Sequence, residues 1–202
     1  MASAWLLLAG CSGGLKSNQP SVQIYLLRPG IAPATAAAAT PAAAPAVGTV
    51  QVMLPLASAG LATDRIVVLR SGGRLDYYTG ARWAAATPAM LQMQVVDALR
   101  ASHRFAMVES DGGPFSAEYM LSLELQHFEA EYSATGPPMV HVAFDASLGR
   151  RGKRDIIVSC SADSQVKAGA DRMQAVVAAF EEATGEALSQ LAAQISPPPT
   201  RP

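Results

Sequence analysis

The side chains that could carry chemistry in this sequence are few and widely separated. The three histidines, His103, His127 and His141, form no His-x-x-x-His pattern, so their spacing predicts no metal site. Cys11 and Cys160 form no Cys-x-x-Cys pattern either. No segment predicts the strand–serine–helix elbow that carries the nucleophile of serine hydrolases. The sequence therefore predicts a protein that is not an enzyme and needs no cofactor.

One basic segment, 149–154, superficially resembles a phosphate-binding loop. It reads Gly-Arg-Arg-Gly-Lys-Arg, but Arg154 stands where such loops carry the serine or threonine that binds magnesium. Clustered cations could also contact an anionic head group or a partner protein. We favour a solvated basic turn that joins two strands.

The cysteine with the most specific context is Cys11. It ends the short apolar run 4–10, and the tetrapeptide Leu-Ala-Gly-Cys at 8–11 resembles the bacterial lipobox, where the signal peptide is cleaved before a lipidated cysteine. Each buried CH₂ of an acyl chain contributes about 0.8 kcal/mol, so several chains anchor a protein stably. We expect lipid attachment at Cys11; a frayed apolar N-terminus with an incidental cysteine is the alternative.

The N-terminal segment is expected to direct the chain to the cell envelope. Residues 1–10 read as a signal peptide that is truncated at its start, because the basic region is missing. Ser12, directly after the cysteine, is typical of lipoproteins sorted to the outer membrane, which predicts its periplasm-facing inner leaflet. Residues 11–21 are rich in glycine, serine and asparagine and predict a flexible tether.

Composition limits the number of domains and the kinds of partner that this chain can have. The 202 residues, 50% of them hydrophobic and 15% charged, suit one globular domain with a substantial core. With 15 lysines and arginines against 16 acidic residues, the net charge of −1 gives no overall field for a polyanion. We therefore expect no nucleic-acid partner.

The elements that must position these residues alternate between strands and helices. A helix is predicted to begin with Thr87 as N-cap and Pro88 in its first turn. Val50, Val52 and Leu54 are predicted to share the buried face of their strand. The order predicts a single-domain α/β sandwich, a mixed sheet with helices packed on it. Strands are expected over 22–27, 48–54, 105–108, 119–126, 140–148 and 156–160, a hairpin over 64–78 and a closing helix over 169–195.

The domain is expected to span 22–196 with one interruption. Residues 28–46 are almost entirely alanine, proline and threonine, so they predict a surface insertion and no core element. The closing prolines end the last helix and leave 197–202 as a disordered tail.

Three segments carry a family resemblance. They are Tyr-Leu-Leu at 25–27, the block 64–84 with Asp-Arg-Ile-Val, Leu-Asp-Tyr-Tyr and Arg-Trp-Ala, and Val-Val-Ala-Ala-Phe at 176–180. Together they resemble the ABC-type transport auxiliary lipoproteins, accessory partners of Mce-type and paraquat-inducible-type lipid transport systems. The resemblance implies an α/β fold like the N-terminal domain of TolB, a periplasmic position and no catalytic residues. It also implies an Mce-type periplasmic protein and its ABC permease and ATPase as partners, and it leaves self-association open.

The expected partner surface lies where the hairpin meets the first helix. Tyr77, Tyr78, Arg82 and Trp83 are of the residue types that dominate binding hot spots. Trp83 is either an exposed anchor or a residue that caps the core beneath the helix. The predicted function is a membrane-anchored accessory subunit of an Mce lipid transport system. The alternative is a structural or assembly lipoprotein of an envelope complex that handles no lipid.

Overall fold

The computed structural model describes residues 21–30 and 48–196, so the predicted signal peptide, most of the tether and the tail lie outside the described residues. Two helices and nine strands follow one another in an α/β order. They are β1 (Gln23–Tyr25), β2 (Thr49–Val52), β3 (Leu56–Ala57), β4 (Arg65–Arg70), β5 (Arg74–Trp83), α1 (Thr87–Ala101), β6 (Met107–Ser110), β7 (Tyr119–Glu131), β8 (Met139–Arg150), β9 (Ile156–Lys167) and α2 (Met173–Gln194).

The strands form one mixed sheet built around β7. One edge of β7 pairs antiparallel with β8 along its whole length, and β8 pairs in turn with β9. The other edge of β7 pairs in parallel with β2, β3 and β4. β6 continues the sheet beyond β2, while β5 and then β1 continue it beyond β4. The long strand β7 therefore joins the β8–β9 pair on one edge to β2–β6, β3 and β4–β5–β1 on the other.

Both helices lie on one face of this sheet and contact each other. Alternation along β7 and β8 points Leu123 and Phe144 toward the helices and polar residues the opposite way. Phe180 of α2 contacts the rings of Trp83 and Phe128 at centroid distances of 5.2 Å and 5.0 Å. The predicted two-layer α/β architecture is confirmed, and we call the sheet face away from the helices the open face.

The hairpin, the antiparallel β7–β8 pair and both helices were predicted, but several bounds and three further details were wrong. The strands predicted at 105–108 and 119–126 lie at Met107–Ser110 and Tyr119–Glu131, and the helix predicted from 169 begins at Met173. Thr87 is not an N-cap: it is the first helical residue, and its hydroxyl donates to the carbonyl of Thr63. Leu54 is 49% exposed because β2 ends before it, at Val52. The last strand continues past Cys160 to Lys167, since small and polar residues alternate there as well as apolar ones.

The beginning of the predicted 28–46 insertion lies against α2, whereas 31–47 fall outside the described residues. The backbone N–H of Arg28 donates to Glu181 at 3.0 Å. A Cβ on Gly185 would lie 2.9 Å from the carbonyl oxygen of Gly30, so only glycine fits in the helix at this point. The helix accepts an unfavourable residue because the chain after β1 crosses it closely.

Asp111 joins the end of β2 to α1. Its carboxylate accepts hydrogen bonds from the Gln92 side chain at 3.0 Å and from the Leu54 N–H at 3.1 Å. These hydrogen bonds hold the pKa of Asp111 below its ordinary value. The bond from Gln92 has the larger effect, and the bond from Leu54 has the next largest. The ionised form of Asp111 therefore stabilises the fold.

We predict that Asp111→Asn lowers the melting temperature at pH 7, because one amide oxygen cannot replace both carboxylate acceptors. A lowered folded-state pKa contributes stability above the unfolded pKa of about 3.9, and this contribution is lost as the pH falls through the folded pKa. The melting temperatures of wild type and variant should therefore begin to converge below about pH 5 and continue to do so as the pH falls through the folded pKa of Asp111. A difference that stays constant from neutral pH down to the acid unfolding of the protein would contradict the assignment.

Candidate functional site

The four predicted partner-binding residues do not share one surface. Residues paired between neighbouring strands lie on the same face, so Tyr25 and Trp83 face the helices while Ile24 and Arg82 lie on the open face. Cys11, the predicted lipidation site, lies outside the described residues.

Trp83 is a core residue. Its side chain is 1% exposed and makes edge-on contacts with Phe180 and Phe128. The exposed-anchor interpretation is therefore wrong, and the core interpretation is correct, with the indole packed on Phe180 of α2. Two irregularities in β5 determine which of its residues point inward. They are the register shift between β4 and β5 and the left-handed conformation of Gly80.

Tyr78 is also turned away from the open face. Its hydroxyl lies 2.8 Å from that of Tyr132, which donates to Asp171 at 2.6 Å, just before α2 begins. Burial and the bond with Tyr132 raise the pKa of Tyr78 well above its ordinary value. This chain of hydrogen bonds links the hairpin to the start of α2. Tyr78 therefore stabilises the fold and does not belong to the predicted binding surface.

Tyr77 and Arg82 do lie together on the open face, with Arg65 between them. The Arg65 guanidinium stacks 3.7 Å above the Tyr77 ring, a cation–π contact. Arg82 lies 3.4 Å from Asp64, and both side chains are almost half exposed. Ile24, the neighbour of Arg82 on β1, is 66% exposed. We call Ile24, Arg65, Tyr77 and Arg82 the hairpin patch.

A second group, which the sequence did not predict, lies on the same face in the centre of the sheet. The rings of His127 and His141 stack at a centroid distance of 4.1 Å with an angle of 11° between their planes. His127 Nδ1 lies 2.6 Å from Glu129 Oε1, and His141 Nδ1 lies 3.2 Å from Glu131 Oε1. His141 Nε2 lies 2.9 Å from a carboxylate oxygen of Asp163 on β9. We call these five residues the histidine–carboxylate cluster.

Two members of the cluster are buried. Glu129 is 5% exposed and His141 is 8% exposed, although both lie on the face without helices. Burial alone would lower the pKa of His141, but the hydrogen bonds to Asp163 and Glu131 outweigh it and raise the pKa above its ordinary value. The cluster therefore favours a positive charge at its centre.

The interpretation of the three histidines as dispersed was wrong for His127 and His141, and the reason is strand register. A β-bulge after Leu125 adds one residue to β7, so His127 continues on the open face together with Glu129 and Glu131. Antiparallel pairing places His141 opposite Glu129, and β9 then adds Asp163. The alternation of His127, Glu129 and Glu131 is visible in the sequence, but the partners across the sheet are not.

The comparisons with known proteins identify the family. No curated protein is significantly similar to this chain. The family model of the ABC-type transport auxiliary lipoprotein component matches residues 25–196. The chain belongs to this family. The predicted family is thus confirmed, and this transport-auxiliary family is not a known enzyme class.

Two solved structures resemble this auxiliary lipoprotein component over most of its length. Protein XCC0632 from Xanthomonas campestris is 25% identical, with a TM-score of 0.73 over 84% of this chain and 92% of that one. An uncharacterized protein is 14% identical, with a TM-score of 0.65 over 87% of this chain and 99% of that one. Both show the same fold, and the family places the chain in association with the cell envelope and an ABC transport system. In the described ranges, neither helix is long and apolar enough to span a membrane.

We predict that Trp83→Ala lowers the free energy of unfolding by about 3–5 kcal/mol, because a buried ring and its contacts with Phe180 and Phe128 are lost. Arg82→Ala, its exposed neighbour, should change the free energy by about 0.5 kcal/mol or less. Denaturant unfolding measures both variants. Equal stability losses would contradict the assignment of these two residues to opposite faces.

Proposed function

We propose that this protein is a lipid-anchored accessory subunit of an Mce-type lipid transport system. In this proposal it faces the periplasm from the inner leaflet of the outer membrane and binds an Mce-type periplasmic protein that works with an ABC permease and ATPase. The observation that carries the proposal is the match of the auxiliary-lipoprotein family model to residues 25–196, nearly the whole described domain. The hairpin patch is the proposed docking surface.

The composition of the hairpin patch supports a protein partner. Tyrosine and arginine dominate binding hot spots, and here Tyr77, Arg65 and Arg82 lie beside the exposed Ile24. The exposed pair between Arg82 and Asp64 contributes at most about 1 kcal/mol, so exchanging Asp64 for a partner carboxylate costs little. We infer a partner surface with acidic residues around an apolar centre.

The proposed anchor would keep this patch near the membrane. The lipid would be attached at Cys11, and the chain enters the sheet at Gln23, the first residue of β1, whose Ile24 belongs to the hairpin patch. An extended chain covers about 3.3 Å per residue, so the intervening segment would hold the patch within about 40 Å of the membrane surface. A partner that spans the periplasm would meet the patch there.

One observation favours the alternative, an assembly lipoprotein that handles no lipid itself. A groove of about 660 Å³ runs along α2, but it is bordered by Glu181, Glu182 and Glu186. Acyl chains prefer walls without ionised groups, whereas these three carboxylates and the Arg28 guanidinium line part of this groove. The alternative predicts capture of protein subunits without co-purifying lipid.

The docking proposal is tested by capture from detergent-solubilised membranes. We predict that wild-type protein retains Mce-type and ABC subunits, identified by mass spectrometry, and that the double variant Tyr77→Ala/Arg82→Ala loses at least about 90% of them. Truncating two hot-spot residues is expected to cost 2 kcal/mol or more, which is roughly a thirtyfold loss of affinity.

Arg154→Ala is the matched control, because it removes an exposed arginine from the turn between β8 and β9. Normal capture by the double variant would exclude the hairpin patch as the docking surface. Lipid analysis of the same wild-type eluate separates the two functions: bound lipid supports the transport role, and its absence supports the assembly role.

We also predict that Cys11→Ala, in a chain preceded by a complete signal peptide, abolishes palmitate labelling and moves the protein to the soluble periplasmic fraction. Cys160→Ala is the control, since Cys160 is half-buried on β9 and faces the core. Palmitate labelling and membrane fractionation that persist in the Cys11 variant would refute the lipid anchor.

A further inference from the structure

The histidine–carboxylate cluster on the open face has unbalanced charge. It gathers three carboxylates, from Glu129, Glu131 and Asp163, around two imidazoles. Among the described residues, the arginine ion pairs go instead to Asp64, Asp76 and Asp97. Even two protonated histidines would leave one negative charge in excess. A buried carboxylate such as Glu129 is costly unless a cation compensates it.

The contacts of His141 indicate where a cation is favoured. Each of its ring nitrogens faces a carboxylate, Asp163 on one side and Glu131 on the other. A neutral imidazole has one N–H and one lone pair, so only one of these contacts can be a hydrogen bond. If Nε2 donates to Asp163, the Nδ1 lone pair faces a Glu131 oxygen at 3.2 Å and repels it. A proton or a metal ion at this position converts the repulsion into attraction.

The geometry suits a metal ion. One ligand atom from each of His127, Glu129, Glu131 and His141 lies within 4.8 Å of every other. Ligands about 2.0–2.1 Å from a tetrahedral zinc ion are about 3.3 Å apart, so small side-chain rotations would close the site. Two imidazoles and two carboxylates form a ligand set that zinc and similar divalent cations accept.

The neighbours of this ligand set support the same interpretation. Metal-binding histidines commonly donate their second N–H to a carboxylate, which fixes the ring orientation. Asp163 accepts from His141 Nε2 in this way, on the side of the ring away from Glu131. The ligands also lie on β7 and β8, which pair along their whole lengths and provide a rigid support.

We propose that His127, Glu129, Glu131 and His141 bind a divalent transition-metal cation of the zinc type, with Asp163 orienting His141. The ion neutralises the buried Glu129 carboxylate and its neighbour Glu131, and it links β7 to β8 at the centre of the open face. The site does not depend on the lipid anchor or on the partner of the hairpin patch.

The test uses the full chain in detergent, without an affinity tag and stripped of metal by a chelator. Calorimetric titration with Zn²⁺ at neutral pH should give one site per chain, with a Kd below about 10 µM, and the melting temperature should rise as the site fills. Co²⁺ should bind at the same site and give the visible absorption of a low-coordinate complex. Saturable binding absent below millimolar Zn²⁺ would overturn the proposal and leave an imidazolium hydrogen-bonded to carboxylates.

Variants locate the site. Glu129→Gln and His141→Gln should each weaken Zn²⁺ binding at least tenfold, and Asp163→Asn should weaken it about 10- to 100-fold through the orientation of His141. Glu124→Gln is the matched control, an exposed carboxylate on the same strand and face, and it should bind like the wild type. Circular dichroism of the metal-free variants checks the fold, and the conservative Asp163 variant tests the site if a ligand variant unfolds. Unchanged affinity in all three cluster variants would overturn the proposal.

Discussion

An aromatic contact between Trp83, Phe128 and Phe180 fixes how the sheet packs on its helices. It joins the hairpin, the central strand β7 and the helix α2 through ring centroids 5.0–6.1 Å apart. Burial of three large rings is worth several kcal/mol. Because side chains alternate along a strand, the inward position of Trp83 requires that Arg82 point outward. The core contact therefore also determines what the protein presents to its surroundings.

The open face that results carries two chemically different regions. At the hairpin end, two arginines lie with a tyrosine and an isoleucine, whereas the centre holds histidines and carboxylates. Strand pairing sets Leu69 of β4 beside Glu131, so the two regions are neighbours on one rigid support. The helix face, in contrast, is occupied by the core and by the chain that follows β1. In our account, binding belongs to the open face and stability to the helix face.

The sequence could predict the elements but not the details that place side chains. Alternating apolar residues and the Ser-Gly-Gly turn were sufficient for the β4–β5 hairpin, and helical spacing was sufficient for α1 and α2. The position of Trp83 could not be predicted, because tryptophan is common in both cores and interfaces and the register shift in β5 is not local. The histidine–carboxylate cluster was missed for a related reason: it combines three strands, and the bulge after Leu125 decides which side chains of β7 join it. Local sequence patterns predict secondary structure, whereas the pairing of distant strands determines which side chains meet in the site.

Site-specific photocrosslinking in intact cells would show whether the open face binds the transport partner. A photoreactive residue at position 77 would probe the hairpin patch, and one at position 178, on the exposed side of α2, would probe the opposite face. We expect an adduct between position 77 and an Mce-type or ABC subunit, and no such adduct from position 178. Crosslinking to that partner from position 178 alone would show that the helix face, and not the open face, binds it.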